Sequence, residues 1–287
     1  MRNESIMERM ELFVPDASSV NVKKEGNFAF YAITGIFIFY TVLPLISVLL
    51  FSIAGKWTNT ILPERWSLSA YIKIFSNAEF ISSLTHSCVV SLCVVIIDLS
   101  VVTLGLLGIS FGASRRALAL MEVLAIIPVA LPGVVLALAS VTFFGKALPA
   151  LLGSPLLLIC TESAFSLPLV FWTLRNAFRD TDIKQLYHAS CVLGAPLYKF
   201  IFMVLLPALN KGMMAGGALA FTTAFNNFAL AQLIVGARWK TLPVLQNGYI
   251  AIDGHQTSAM AIVSIALTFT LIIIAGTIKG RGTGETR

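Results

Sequence analysis

Few residues in this 287-residue chain have the chemistry to bind or react, and most of those lie inside apolar runs. Asp98, Glu122 and Glu162 are carboxylates in such runs, and Asn226 and Asn227 form an adjacent amide pair in another. Surrounded by apolar residues, a carboxylate or amide either hydrogen-bonds to a neighbouring helix or faces a wet cavity that a solute can enter. A charge in mid-span costs at least about 2.5 kcal/mol on insertion scales, so Asp98 must face the interior of a bundle or such a cavity. The three histidines, His86, His188 and His255, fall in no His-Glu-x-x-His pattern, and no Gly-x-Ser-x-Gly elbow occurs. No catalytic residue is therefore assigned. Cys88, Cys93, Cys160 and Cys191 lack metal-ligand spacing and read as small packing residues, so no metal site is assigned either. A phosphate-cradling G-x-x-x-x-G-K-[S/T] loop is absent from the sequence, so any nucleotide chemistry belongs to another subunit.

The elements that must position these residues are membrane helices. Hydrophobic residues make up 57% of the chain and charged ones 12%, about half the charged fraction of a soluble domain. The charges are clustered, leaving stretches of about 20 apolar residues, the length one helix needs to cross lipid. The alternation of a β-barrel does not dominate anywhere. Six spans are expected, at residues 28–54, 84–111, 117–144 (broken by Pro128 and Pro132), 155–174 (with Pro168 inside), 213–235 and 258–278. No cleavable signal peptide is expected, because the first apolar run is too long for an h-region. With the N-terminus inside, fourteen Lys and Arg residues fall in the cytoplasm and six outside, which places both termini in the cytoplasm. The net charge of +6 thus reflects topology, with no concentrated basic face for nucleic acid. Two outer loops, 55–83 and 236–257, are long enough to be structured. Trp57, Trp66, Tyr71 and Phe75 in the first suit an interfacial segment against membrane lipid. The organisation is a cytoplasmic segment 1–27, a transmembrane domain 28–279 and a cytoplasmic tail 280–287.

Between the fourth and fifth spans, residues 178–212 are strongly patterned. Residues 183–193 read as one short helix, Gly194 as a left-handed break, and residues 197–206 as a second, apolar helix before Pro207. Two short helices joined at a glycine make a compact knob that fits a groove on a partner. Here the sequence resembles the inner-membrane permeases of binding-protein-dependent ABC importers, whose cytoplasmic signature is Glu-Ala-Ala, three residues, Gly, nine residues, then Ile-x-Leu-Pro. This chain has His188-Ala189-Ser190, Leu193-Gly194-Ala195 and Phe200, and nine residues separate Gly194 from Val204-Leu205-Leu206-Pro207. His188 and Ser190 depart from the usual Glu and second Ala, which bears on any salt bridge to the ATPase.

The resemblance implies an all-α membrane protein of the type I importer permease (MetI-like) fold in a bacterial inner membrane. Segment 178–212 would be its coupling element toward the ATPase. It implies a second permease subunit, more in keeping with a heterodimer, two ATPase subunits that use ATP and Mg, and a periplasmic solute-binding protein. No cofactor is implied for this chain. It also implies that spans four and five flank the translocation path, so Glu162, Asn226 and Asn227 are carried forward as pathway residues, together with Asp98 of the second span as a charge facing the interior or a wet cavity. Residues 224–261, with Thr241-Leu242-Pro243-Val244, resemble the polyamine-type branch, and relatives carrying phosphonates or ferric iron share much of that pattern. The polyamine branch often has acidic residues where this chain has Asn226 and Asn227. The main rival is a secondary transporter, which would show an inverted repeat that is not evident here.

Overall fold

A computed structural model describes residues 26–58, 60–112 and 115–280. The expected cytoplasmic segment to residue 25 and the tail from residue 281 lie outside the described residues, and with them Arg2, Arg9, Lys23, Lys24, Arg281 and Arg287.

The chain divides into two compact units at Val48 and Leu49. Helix α1 (Gly26–Ser52) supplies the described part of the first, and from Phe30 to Val48 it buries no side chain. Such an all-round apolar surface suits lipid. In the second unit a small antiparallel hairpin, β1 (Ala54–Lys56) and β2 (Arg65–Trp66), leads into α2 (Ser69–Ser76). Helix α3 (Ala78–Gly112) follows, 35 residues long. After it come α4 (Arg115–Ala130), α5 (Gly133–Ala147), a 3-10 turn at Pro149–Leu151, and α6 (Pro155–Asp180). Helix α7 (Ile183–Val192) precedes α8 (Leu197–Ala208), then α9 (Asn210–Asn226), α10 (Phe228–Ile234), α11 (Leu242–Tyr249) and α12 (Gly254–Gly280).

Four helices, α1, α3, α6 and α12, are long and apolar enough to cross a membrane, and six spans result if each of two bent pairs counts as one. The first pair is α4 and α5, bent by 96°. Its cause is legible: Pro128 and Pro132 remove backbone donors, and Pro132 adopts extended geometry at the start of α5. Pro168, by contrast, sits inside an unbroken α6. The second pair is α8 and α9, bent by 76°.

Two sequence expectations change here. Helix α8 continues through Pro207 to Ala208, because a π-turn at Phe200–Leu205 restarts the helix and leaves proline in a first turn, where its missing N–H is tolerated. The fifth span is not continuous either. Asn227 leaves the helix with φ −79° and ψ 96°, and its side-chain oxygen accepts from the Leu230 N–H to start α10.

The core of the second unit forms where α3, α6 and α9 cross. Val102 and Leu106 of α3, Val170, Phe171 and Leu174 of α6 and Ala220 of α9 are buried together. Close approach there depends on glycine: a Cβ on Gly212 would overlap the Ala177 methyl, and Gly216, one turn on, lies against Val170. At one end of α3, Ala70, Ile74 and Phe80 pack with Leu242, Leu245, Ala259 and Met260. At its other end, Leu107 packs with Ile183, Phe200, Leu205 and Leu209.

Candidate functional site

The patterned segment is built as a knob with one anchored and one bare face. Asp182 starts α7 by accepting from the Gln185 N–H at 3.1 Å. The helix ends at Gly194, whose φ of +70° lets the Gly194 N–H reach Cys191 O and the Ala195 N–H reach Ser190 O, each at 2.9 Å. The expected coupling residues divide between the two faces. Phe200 is fully buried, with Val204 packed beside it, and Ser190 is buried with its hydroxyl on Tyr187 O at 2.7 Å. Ala195 and Leu206 are half-buried. His188, Ala189, Leu193, Gly194 and Pro207 are exposed. Leu193 is 84% exposed and neighbouring Val192 88%, with Leu197, Tyr198, Phe202 and Met203 also bare. Apolar side chains held out this far, on helices whose other face is anchored, form a surface shaped to be covered.

The intramembrane polar residues separate as clearly. Asp98, fully buried, accepts from the Ser163 and Ser166 hydroxyls of α6, so both its oxygens are used. Glu122 of α4 pairs with Arg175 of α6 at 2.5 Å, and Arg175 in turn lies 5.4 Å from the Trp172 ring centre. Glu162, 1% exposed, accepts from Asn227 Nδ2 at 3.1 Å through one oxygen, while the other, Oε1, is buried without a hydrogen-bond partner. Asn226 points elsewhere: its amide bonds back to Thr222 O, and the residue is exposed. It continues a face of α9 through Thr222, Leu219, Ala215 and Lys211, four of the residues lining a groove of about 460 Å³ against α12. Of the four residues expected along the path, the fold joins Glu162 to Asn227, pins Asp98 separately and sets Asn226 apart. The serines that satisfy Asp98 were missed in the sequence, although their three-residue spacing puts them on one helix face.

At the opposite end of α3 the two long loops lock together. Lys240 pairs with Glu79 at 2.5 Å, and His86 stacks on Trp239 with ring centres 3.8 Å apart while its Nδ1 meets Lys240 O. Asn77 donates to the Tyr249 hydroxyl at 2.9 Å. His255 stacks on Phe51 and meets its carbonyl. Partial burial alone would raise the Asp253 carboxyl. Hydrogen bonds from the Gln256 side chain and backbone, the Lys73 ammonium and the His255 N–H outweigh that and hold it below the usual carboxylate range.

Among the described residues, no group of three or more His, Cys, Asp or Glu could hold a metal ion. Comparison with known proteins gives a consistent result. Residues 104–281, well over half the chain, match the family described as binding-protein-dependent transport system inner membrane component. The chain is 23% identical over 260 residues to the probable transport system permease NifC of Clostridium pasteurianum, covering 85% of each chain. It is 32% identical over 113 residues to the putative 2-aminoethylphosphonate permease PhnU of Salmonella typhimurium, 39% of each chain. Against the spermidine/putrescine permease PotC of Shigella flexneri the identity is 23% over 131 residues, 44% of this chain and 49% of the other. Its fold is similar to a chain of the bacterial alginate ABC transporter solved with an alginate pentasaccharide-bound periplasmic protein. There the TM-score is 0.67 at 12% identity, covering 91% of this chain and 96% of that one. Subunits of this kind are not enzymes and need no cofactor of their own. The chain belongs to the family of binding-protein-dependent transport system inner membrane components: it is a multi-pass permease subunit of an ABC importer in the inner membrane.

Proposed function

We propose that this permease forms half of the translocation path for a small amine delivered by a periplasmic binding protein, with polyamines first among the solutes and aminophosphonates next. The bare apolar knob around Gly194 carries the importer part of the reading, because a surface of this shape needs a partner and lies within the matched region. That partner is the ATPase: closure of two ATPases on ATP draws the two knobs of the permease pair together and turns the cavity outward, and hydrolysis resets it. The solute part rests on the partial likeness to permeases named for 2-aminoethylphosphonate and for spermidine/putrescine, solutes that share an alkylammonium group. The second permease is a different chain, as the polyamine-type resemblance implies. It meets the α9 face that ends in Asn226, since an exposed amide at that depth is costly against lipid. Both termini lie in the cytoplasm, on the basic side of the chain.

The test is purification of the complex with its ATPase and binding protein, followed by binding-protein-stimulated ATP hydrolysis. Gly194→Glu places a charged side chain at the bare tip, where a Cβ meets nothing within 4 Å in the subunit itself. The spans should insert normally, but the ATPase should no longer co-purify and stimulation should vanish. Normal docking and stimulation in this variant would remove the knob from the coupling role.

A further inference from the structure

We infer that the free oxygen of Glu162, at the break between α9 and α10, is the point where the permease itself takes hold of an alkylammonium group during passage. The inference deepens the amine-importer reading and rests on it.

Three carboxylates lie in the spans, and their states differ. Asp98 has a serine hydroxyl on each oxygen, and Glu122 has a guanidinium. Both are complete without a solute. Glu162 is not: Asn227 serves Oε2, and Oε1 is the one carboxylate oxygen, among the described residues, buried with no partner. The hydroxyls of Ser163 and Ser166, one and four residues on in α6, donate to Asp98 instead. Leu158, one turn before Glu162 on α6, and Leu230 and Ala231 of α10 are buried together in one apolar cluster. An acceptor left open in such a place is costly and persists where function uses it.

The position explains how a solute reaches it. Helix α10 has only seven residues, and the Asn227 contact joins its start to Glu162. On this inference the α9–α10 break is where the path opens, since α10 is itself packed through Leu230, Ala231 and Ile234. An alkylammonium offers up to three donors and the opposite charge, which match one open acceptor better than any neutral solute does. A carboxylate that is covered in one state and open in another holds the amine only in passing, as a path requires.

The test uses the full complex in proteoliposomes with labelled putrescine in one arm and labelled 2-aminoethylphosphonate in the other. Glu162→Gln keeps the shape and can still accept from Asn227, but removes the charge. Uptake per ATP hydrolysed should fall at least about tenfold, the loss of one charge-assisted hydrogen bond, in whichever arm the wild type transports. Stimulated hydrolysis should persist, and Glu162→Asp should recover part of the uptake. In the wild-type complex, labelling of Glu162 by dicyclohexylcarbodiimide, located by peptide mass, should be slowed several-fold by the transported amine. Unchanged uptake in Glu162→Gln, or labelling that the amine does not slow, overturns the inference. A wild type with stimulated hydrolysis that carries neither amine also overturns it, while leaving the importer reading in place. Absence of stimulated hydrolysis in the wild type removes the importer reading and this inference together.

Discussion

At residue 253 one carboxylate gathers the Gln256 side chain, the Gln256 and His255 N–H groups and the Lys73 ammonium, tying α2 to the start of α12. Its folded pKa is depressed, so the stability it contributes is present above the ordinary carboxylate range, about pH 4, and is lost as pH falls through the folded value. Thermal unfolding of the detergent-purified subunit should therefore show a smaller acid-induced loss between about pH 5 and pH 2 for Asp253→Ala than for the wild type. Equal losses would mean that the cluster adds nothing. Residue types were legible in the sequence, whereas their partners were not. Asp98 and Glu162 stand out in any apolar run, but which of them is complete depends on helices 65 residues away meeting at a given rotation.

Among the elements, α9 shows what close packing demands. Gly212 faces Ala177 with no room for a methyl group, and the buried stripe continues through Gly216 and Gly217. Gly212→Val should separate α9 from α6 and lower the melting temperature of the subunit, since overpacking a tight contact costs about 1–3 kcal/mol. A melting temperature equal to wild type would show that the helices part freely. On the knob, Leu193→Asp should weaken ATPase co-purification by putting a charge into an apolar contact. His188→Glu, which restores the residue usual in the family, should leave co-purification intact or improve it. The break at Pro128 and Pro132 could be read from proline chemistry, and the turn at Gly194 from a glycine at the end of a short helix. The break at Asn227 could not. No proline or glycine marks it, and only the cap that Asn227 makes to Leu230 explains why the helix stops there. The π-turn in α8 likewise leaves no residue signature.

For the whole molecule, six spans with both termini in the cytoplasm are predicted from the fourteen-to-six basic asymmetry. Reporter fusions after Gly194 should read cytoplasmic, and those after Lys73 and Arg238 periplasmic. A reversed pattern would overturn the orientation. The order of spans was legible because apolar length is a one-dimensional property. The interlocking of the two long loops was not, because it joins residues such as Glu79 and Lys240 that are 161 positions apart. That interlock has a mechanical consequence when set beside α3. This one helix, about 50 Å long, carries near its start Glu79 and His86, which hold Lys240 and Trp239 of the second loop, and near its end Leu107, against the anchored face of the knob. Between them Asp98 is fastened to α6. The loop contacts and the knob contacts are thus carried by one continuous helix, with no joint between them to absorb a displacement of either end.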